Sequence, residues 1–179
     1  MLRTGPYITV YGVLYMKKGV KLISSGVQDL AIGMGLGVGV LPPVTIDQVL
    51  GLVRYVNSMG GRVDSSRLDE LLNVDMDLLP HVVEAAVMLG LLRQRGGDLE
   101  VTEQGKRAVK VRGKMLRALI KDLSDDVEPF REIFGSLKGD TIESGRLKEI
   151  VGRAGYPDVD RAVEVFREWL AYMGVEVVD

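Results

Sequence analysis

A chain of 179 residues that is 46% hydrophobic and 27% charged has the make-up of an ordinary globular protein, long enough to bury a core without covalent staples. It has no cysteine, which excludes disulfide frameworks, thiolate chemistry and Cys-based zinc sites and points to a cytoplasmic protein. A net charge of −2 excludes a surface ruled by one basic field, the usual mark of a nucleic-acid binder, and leaves room only for a local basic patch.

Residues 1–40 differ in character from the rest and read as an N-terminal extension, extended or poorly ordered. Within it, Tyr7, Thr9, Tyr11 and Val13 alternate with Ile8, Val10 and Gly12 in a β-rich run that either pairs as a strand or stays irregular. The uncharged run from Leu30 to Ile46 falls short of the roughly 20 apolar residues a spanning helix needs. Asp29 interrupts the apolar stretch after Lys17 and Lys18, so a signal peptide is not expected either. Gly33, Gly35, Gly37 and Gly39 recur at every second position, whereas a dinucleotide fingerprint needs G-x-G-x-x-G opening directly into a helix. The residue three after Gly35 is Val38, and Pro42-Pro43 delays any helix. No Gly-Lys-Ser/Thr occurs, so nothing is present to hold a triphosphate and its magnesium, and no cofactor is expected.

From Thr45 the chain becomes periodic. Ile46, Val49, Leu50, Val53 and Val56 fall on one face of a helix that Thr45 and Gln48 open with a capping-box pattern and Gly60-Gly61 ends. Asp64 or Ser65 then caps a short second helix carrying Leu68, Leu71 and Leu72, followed by a turn around Asn73. A third helix is predicted from Asp77 to Leu89, with Pro80 in its first turn and Leu79, Val82, Val83 and Ala86 buried, and Gly90 stops it. Leu92, Gln94, Leu99 and Val101 form a hairpin around Gly96-Gly97-Asp98. Three helices and a hairpin make a winged-helix domain over 41–112.

The second half begins with a helix from about Thr102 that breaks near Gly113, where the second unit, 113–179, starts, and resumes to Leu123. Ser144 caps a helix through Ala154. Asp158 begins a final helix striped by Val159, Ala162, Val163, Phe166, Leu170 and Met173, which Gly174 closes before an edge strand from Val175 to Val178. The fold class is therefore mainly α (α+β): a winged helix followed by a second, degenerate winged-helix-like or helical unit.

Leu41-Pro42, the run Thr45 to Leu52, Leu78-Leu79-Pro80, Glu84-Ala85-Ala86, Leu89-Gly90 and the segment Val101-Thr102-Glu103-Gln104-Gly105-Lys106-Arg107 occur in the order of one family. From about Leu41 onward the chain resembles the AAA-associated C-terminal domain. That module is typically appended to ATP-binding subunits of nitrate, sulfonate and taurine-type ABC transporters. The resemblance implies an accessory role beside an ABC-type ATPase subunit. Two departures stand out: the ATPase domain that would precede the module is missing, and the family's aromatic ending is reduced to Trp169-Leu170-Ala171-Tyr172.

Lys106, Lys110, Lys114, Arg117 and Lys121 fall at spacings that stack them along one helix face, and Arg107 and Arg112 add to it. This is the candidate interaction surface, for an acidic protein, anionic lipid or nucleic-acid phosphate, set against a plain solvated face. The helix that would enter a DNA groove offers Asp75, Asp77 and Glu84 and no Arg, Lys, Asn or Gln before Gly90, so a protein partner is favoured over a DNA-binding regulator. A homodimer is left open. His81, the only histidine, has no companion for metal or nucleophilic chemistry and reads as structural. Asp122, Asp125, Asp126 and Glu128 read as a solvated helix terminus, and Phe166 and Trp169 as core. No catalytic or metal site is expected.

Overall fold

The computed structural model describes residues 7–10, 13–16, 39–64, 68 and 77–179. β1 (Tyr7–Val10) and β2 (Val13–Met16) form an antiparallel hairpin in the N-terminal extension, with Tyr7 paired to Met16. The alternating run therefore takes the paired of its two open conformations.

The first half is built on α1 (Ile46–Ser58), which has the expected capping box: the Thr45 hydroxyl accepts from the Gln48 N–H and the Gln48 side chain accepts from the Thr45 N–H. Its buried face, Ile46, Val49, Leu50, Leu52, Val53 and Val56, packs on α2 (Leu79–Met88), where Leu79, Val82, Val83, Ala85 and Ala86 are buried. Pro80 sits in the first turn of α2, where its missing N–H costs nothing. A strand follows α1 directly: β3 (Arg62–Asp64) lies antiparallel to β5 (Asp98–Val101), and β5 pairs in turn with β4 (Leu92–Arg95). Asp64 is the last residue of β3, and residues 65–67, on which its expected capping role depends, lie outside the described residues. Of the short second helix expected after it, Leu68 is helical and buried, and the remaining positions lie outside the described residues. Gly96 and Gly97, with φ of 60° and 92°, make the β4–β5 turn and set the register Gln94 to Leu99.

The second half runs α3 (Glu103–Lys110), α4 (Gly113–Ser124), α5 (Phe130–Gly135), β6 (Thr141–Glu143), α6 (Ser144–Arg153), α7 (Val159–Met173) and β7 (Glu176–Val178). α5 and β6 add to the elements read from sequence. Ser144 is the first residue of α6, not its cap, and its hydroxyl accepts from Arg167. Asp158 does cap α7, accepting the Arg161 N–H at 3.0 Å, and Gly174 closes that helix in the left-handed region. Phe130 centres an aromatic cluster, edge-on to Phe166 at 5.4 Å and tilted against Trp169 at 5.4 Å. Phe166 and Trp169 are fully buried core residues, as their spacing predicts.

One apolar cluster runs through both halves. Residues 40–44 join them: the Leu41 N–H donates to the Glu128 carbonyl at 2.8 Å, the Tyr156 hydroxyl donates to the Leu41 carbonyl at 2.7 Å, and the Trp169 indole donates to the Val44 carbonyl at 2.8 Å.

Candidate functional site

The basic run lies on two helices, not one. α3 ends at Lys110, Val111 and Arg112 are extended, and Gly113 turns the chain through φ +55° before α4 starts. The single stacked face expected from the spacing is therefore split, with Lys106, Arg107 and Lys110 on α3 and Lys114, Arg117 and Lys121 on α4. The Arg112 guanidinium donates to the carbonyls of Val109 and Val111 and ties down the link between them.

Both helices are amphipathic, which fixes what they present. α3 buries Gly105 and Ala108, and α4 buries Leu116, Leu119, Ile120 and Ser124. Lys106, Arg107, Lys110, Lys114 and Arg117 are left exposed. Lys106 is engaged by Glu103 at 2.7 Å, a solvated pair that adds little to stability. The Glu103 carboxyl is held below its ordinary range mainly by this hydrogen bond. Lys121 is drawn off the surface, 3.8 Å from Asp140 and 5.9 Å above the Phe134 ring. Arg107, Lys110, Lys114 and Arg117 have no ion pair among the described residues.

Two neighbours of this face are invisible in the local sequence pattern. Arg54, exposed on α1, and Arg117 both act on the Tyr172 hydroxyl of α7, each favouring its ionised form against the larger effect of burial, which raises it. Arg54 and Arg117 thus have Tyr172 as a common neighbour. Met115, beside Lys114, is 66% exposed. The signal for Arg54 was its place opposite the buried stripe of α1, but only the packing of α7 gives it a neighbour in common with Arg117.

The remaining candidates are elsewhere. His81 lies half-buried on α2 at a shallow cavity of about 190 Å³ that Pro43, Val44 and Tyr156 also line, and burial lowers its pKa. One turn on, burial alone pushes the Glu84 carboxyl up to about 7, and its Oε2 has no hydrogen-bond partner among the described residues. At neutral pH Glu84 thus carries only part of the negative charge its residue type suggests. Asp122, Asp125 and Asp126 are exposed, and no group of three His, Asp or Glu placed to hold a metal occurs among the described residues.

The fold and this face define a mainly helical module with a small antiparallel sheet and a cationic surface formed by two consecutive helices. Residues 66–179 match the family described as the C-terminal AAA-associated domain, and the chain belongs to that family. No curated protein and no solved structure matches it. Among the described residues no helix is long and apolar enough to cross a membrane.

Proposed function

We propose that this chain is a non-catalytic docking module, a winged helix over 41–112 followed by a winged-helix-like unit over 113–179, that binds an acidic surface on an ABC-type ATP-binding subunit. The observation that carries this reading is the set of exposed cations Arg107 and Lys110 on α3 and Lys114 and Arg117 on α4, without an ion pair among the described residues of a chain whose net charge is −2. Exposed charges left without partners at home gain most from a complementary surface, and the exposed Met115 beside Lys114 adds apolar area to bury. Family membership supplies the kind of partner, an ATPase.

The winged-helix reading rests on element order and pairing. α1, β3, the helical Leu68, α2 and the β4–β5 hairpin follow one another, with β3 added to the hairpin. The order α5, β6, α6, α7, β7 repeats helix, strand, helix, helix, strand, but ends in a parallel pair instead of a hairpin.

A DNA-binding regulator is the second reading, and α2 argues against it. Its residues LPHVVEAAVM include no Arg, Lys, Asn or Gln to read a base edge. The test is calorimetry against a purified ABC-type ATP-binding subunit from the same organism, with a random DNA duplex as the parallel titrant. The docking reading expects salt-sensitive binding to the subunit that Lys110→Glu, Lys114→Glu and Arg117→Glu together weaken at least about tenfold, roughly 1.4 kcal/mol. DNA binding by the wild type should be weaker than roughly 10⁻⁴ to 10⁻⁶ M at about 150 mM salt. A submicromolar, steeply salt-dependent duplex shift that the triple reversal abolishes would sink the docking reading.

A further inference from the structure

Among the described residues, β6 and β7 form a parallel sheet of two strands. The Glu176 N–H donates to the Asp140 carbonyl at 2.8 Å, and the register sets Thr141 beside Glu176, Ile142 beside Val177 and Glu143 beside Val178. In a parallel ladder with this register, the main-chain groups of Glu176 and Val178 turn toward β6 and those of Val177 turn away. The Val177 N–H and C=O have no partner among the described residues. They border an open groove of about 410 Å³ between β7 and α7, lined by Arg167, Ala171, Gly174, Val175, Glu176 and Val177. Such an edge is a template for another strand; β7 has no proline, lysine or bulge to block it, and its three residues and the charge of Glu176 limit the pairing to a short, weak contact.

We propose that β7 is a pairing edge for a second copy of this chain, the two β7 strands meeting antiparallel about a two-fold axis at Val177 and joining the two small sheets into one. Charge complementarity selects this occupant. Pairing centred on Val177 sets each Val177 opposite its counterpart, where the two exchange both hydrogen bonds, and places Asp179 of the second copy opposite Val175. Arg167 lines the groove beside Val175, so it receives the carboxylate of that Asp179, and the symmetry makes the same pair twice. The ladder stops there, because the Val175 N–H is already donated to the Leu170 carbonyl at 2.8 Å. A contact this short lies at or below the roughly 1,000 Å² of a stable interface, so the dimer is weak and concentration-dependent.

Sedimentation velocity of the full chain, from about 10 µM to about 1 mM, tests this. The weight-average mass should climb toward that of a dimer. Val177→Pro removes the outward N–H, fixes φ and gives up a valine packed on the core, so it should melt somewhat below wild type and remain monomeric throughout. Arg167→Asp and Asp179→Arg should each weaken association about tenfold or more, and the double exchange should restore it to within about threefold, which a merely structural role for Arg167 would not do. If Val177→Pro fails to fold, the charge exchange decides. A wild type that stays monomeric at the highest concentration leaves the edge to a different chain or to none and overturns the proposal. So does a dimer indifferent to both sets of substitutions.

Discussion

Gly105→Ala should destabilise the protein by about 1–3 kcal/mol although alanine is the better helix former. Gly105 lies in the first turn of α3, where that helix crosses the β4 end of the hairpin. A Cβ built there falls 2.1 Å from the Leu91 carbonyl oxygen and 2.7 Å from Cγ1 of Val101. The carbonyl is not free to retreat, because it accepts the Thr102 N–H at 3.1 Å. Helix α3 must move instead. That strains the cap in which the Thr102 hydroxyl accepts the Gly105 N–H at 3.0 Å. Overpacking of this kind costs about 1–3 kcal/mol, a damaged N-cap costs about 1 kcal/mol, and the gain in helix propensity returns about 1 kcal/mol. Gly51→Ala is the control: on the exposed face of α1 its Cβ would meet nothing within 4 Å, so propensity alone acts and it should stabilise by about 1 kcal/mol. Urea unfolding reads both as shifts in midpoint at constant slope. A Gly105→Ala protein as stable as wild type, beside a Gly51→Ala protein that gains, would refute the packing argument.

Glu84 makes stability depend on pH with a definite sign. Its folded-state pKa of about 7 lies above its ordinary 4.5, so the stability it contributes is complete below about pH 4.5, declines as pH rises and is gone once pH passes about 7. Glu84→Gln should equal wild type near that lower limit and exceed it by roughly 1–2 kcal/mol at about pH 8, less than the shift alone implies because part of the group stays solvated; thermal melts across the range would show parallel curves if the burial argument is wrong. Tyr156→Phe leaves the buried Leu41 carbonyl without its hydroxyl donor and should cost about 1–3 kcal/mol by urea unfolding, a neutral result meaning that water or relaxation replaces the bond.

What was legible in the sequence is what neighbours in the chain decide. Thr45 with Gln48, Gly96-Gly97, Asp158 and Gly174 act within a turn of their own position, and each takes the role its residue type predicts. The stripe on α7 is equally local. β3 was missed because three residues, with only Val63 buried, become a strand through β5, which is distant in sequence. β6 and β7 likewise define each other across two helices. α5 is six residues long and owes its place to the aromatic cluster around Phe130, not to periodicity. The basic residues were legible as residues but not as a surface. A repeat counted along one helix carries no information about the break at Gly113, nor about Arg54 and Arg117 both acting on Tyr172.

The strap at residues 40–44 also sets an order of events in folding. Its two side-chain hydrogen bonds reach across 115 and 125 residues of sequence, from Leu41 to Tyr156 and from Val44 to Trp169. Closing a loop of that length costs roughly 4 kcal/mol of chain entropy, and once one bond has closed it the other adds little further cost. On a ribosome, the strap and α1 emerge long before α7 exists to receive them. Until then the Leu41 and Val44 carbonyls lack the Tyr156 and Trp169 donors, and the arrival of α7 locks the strap into place.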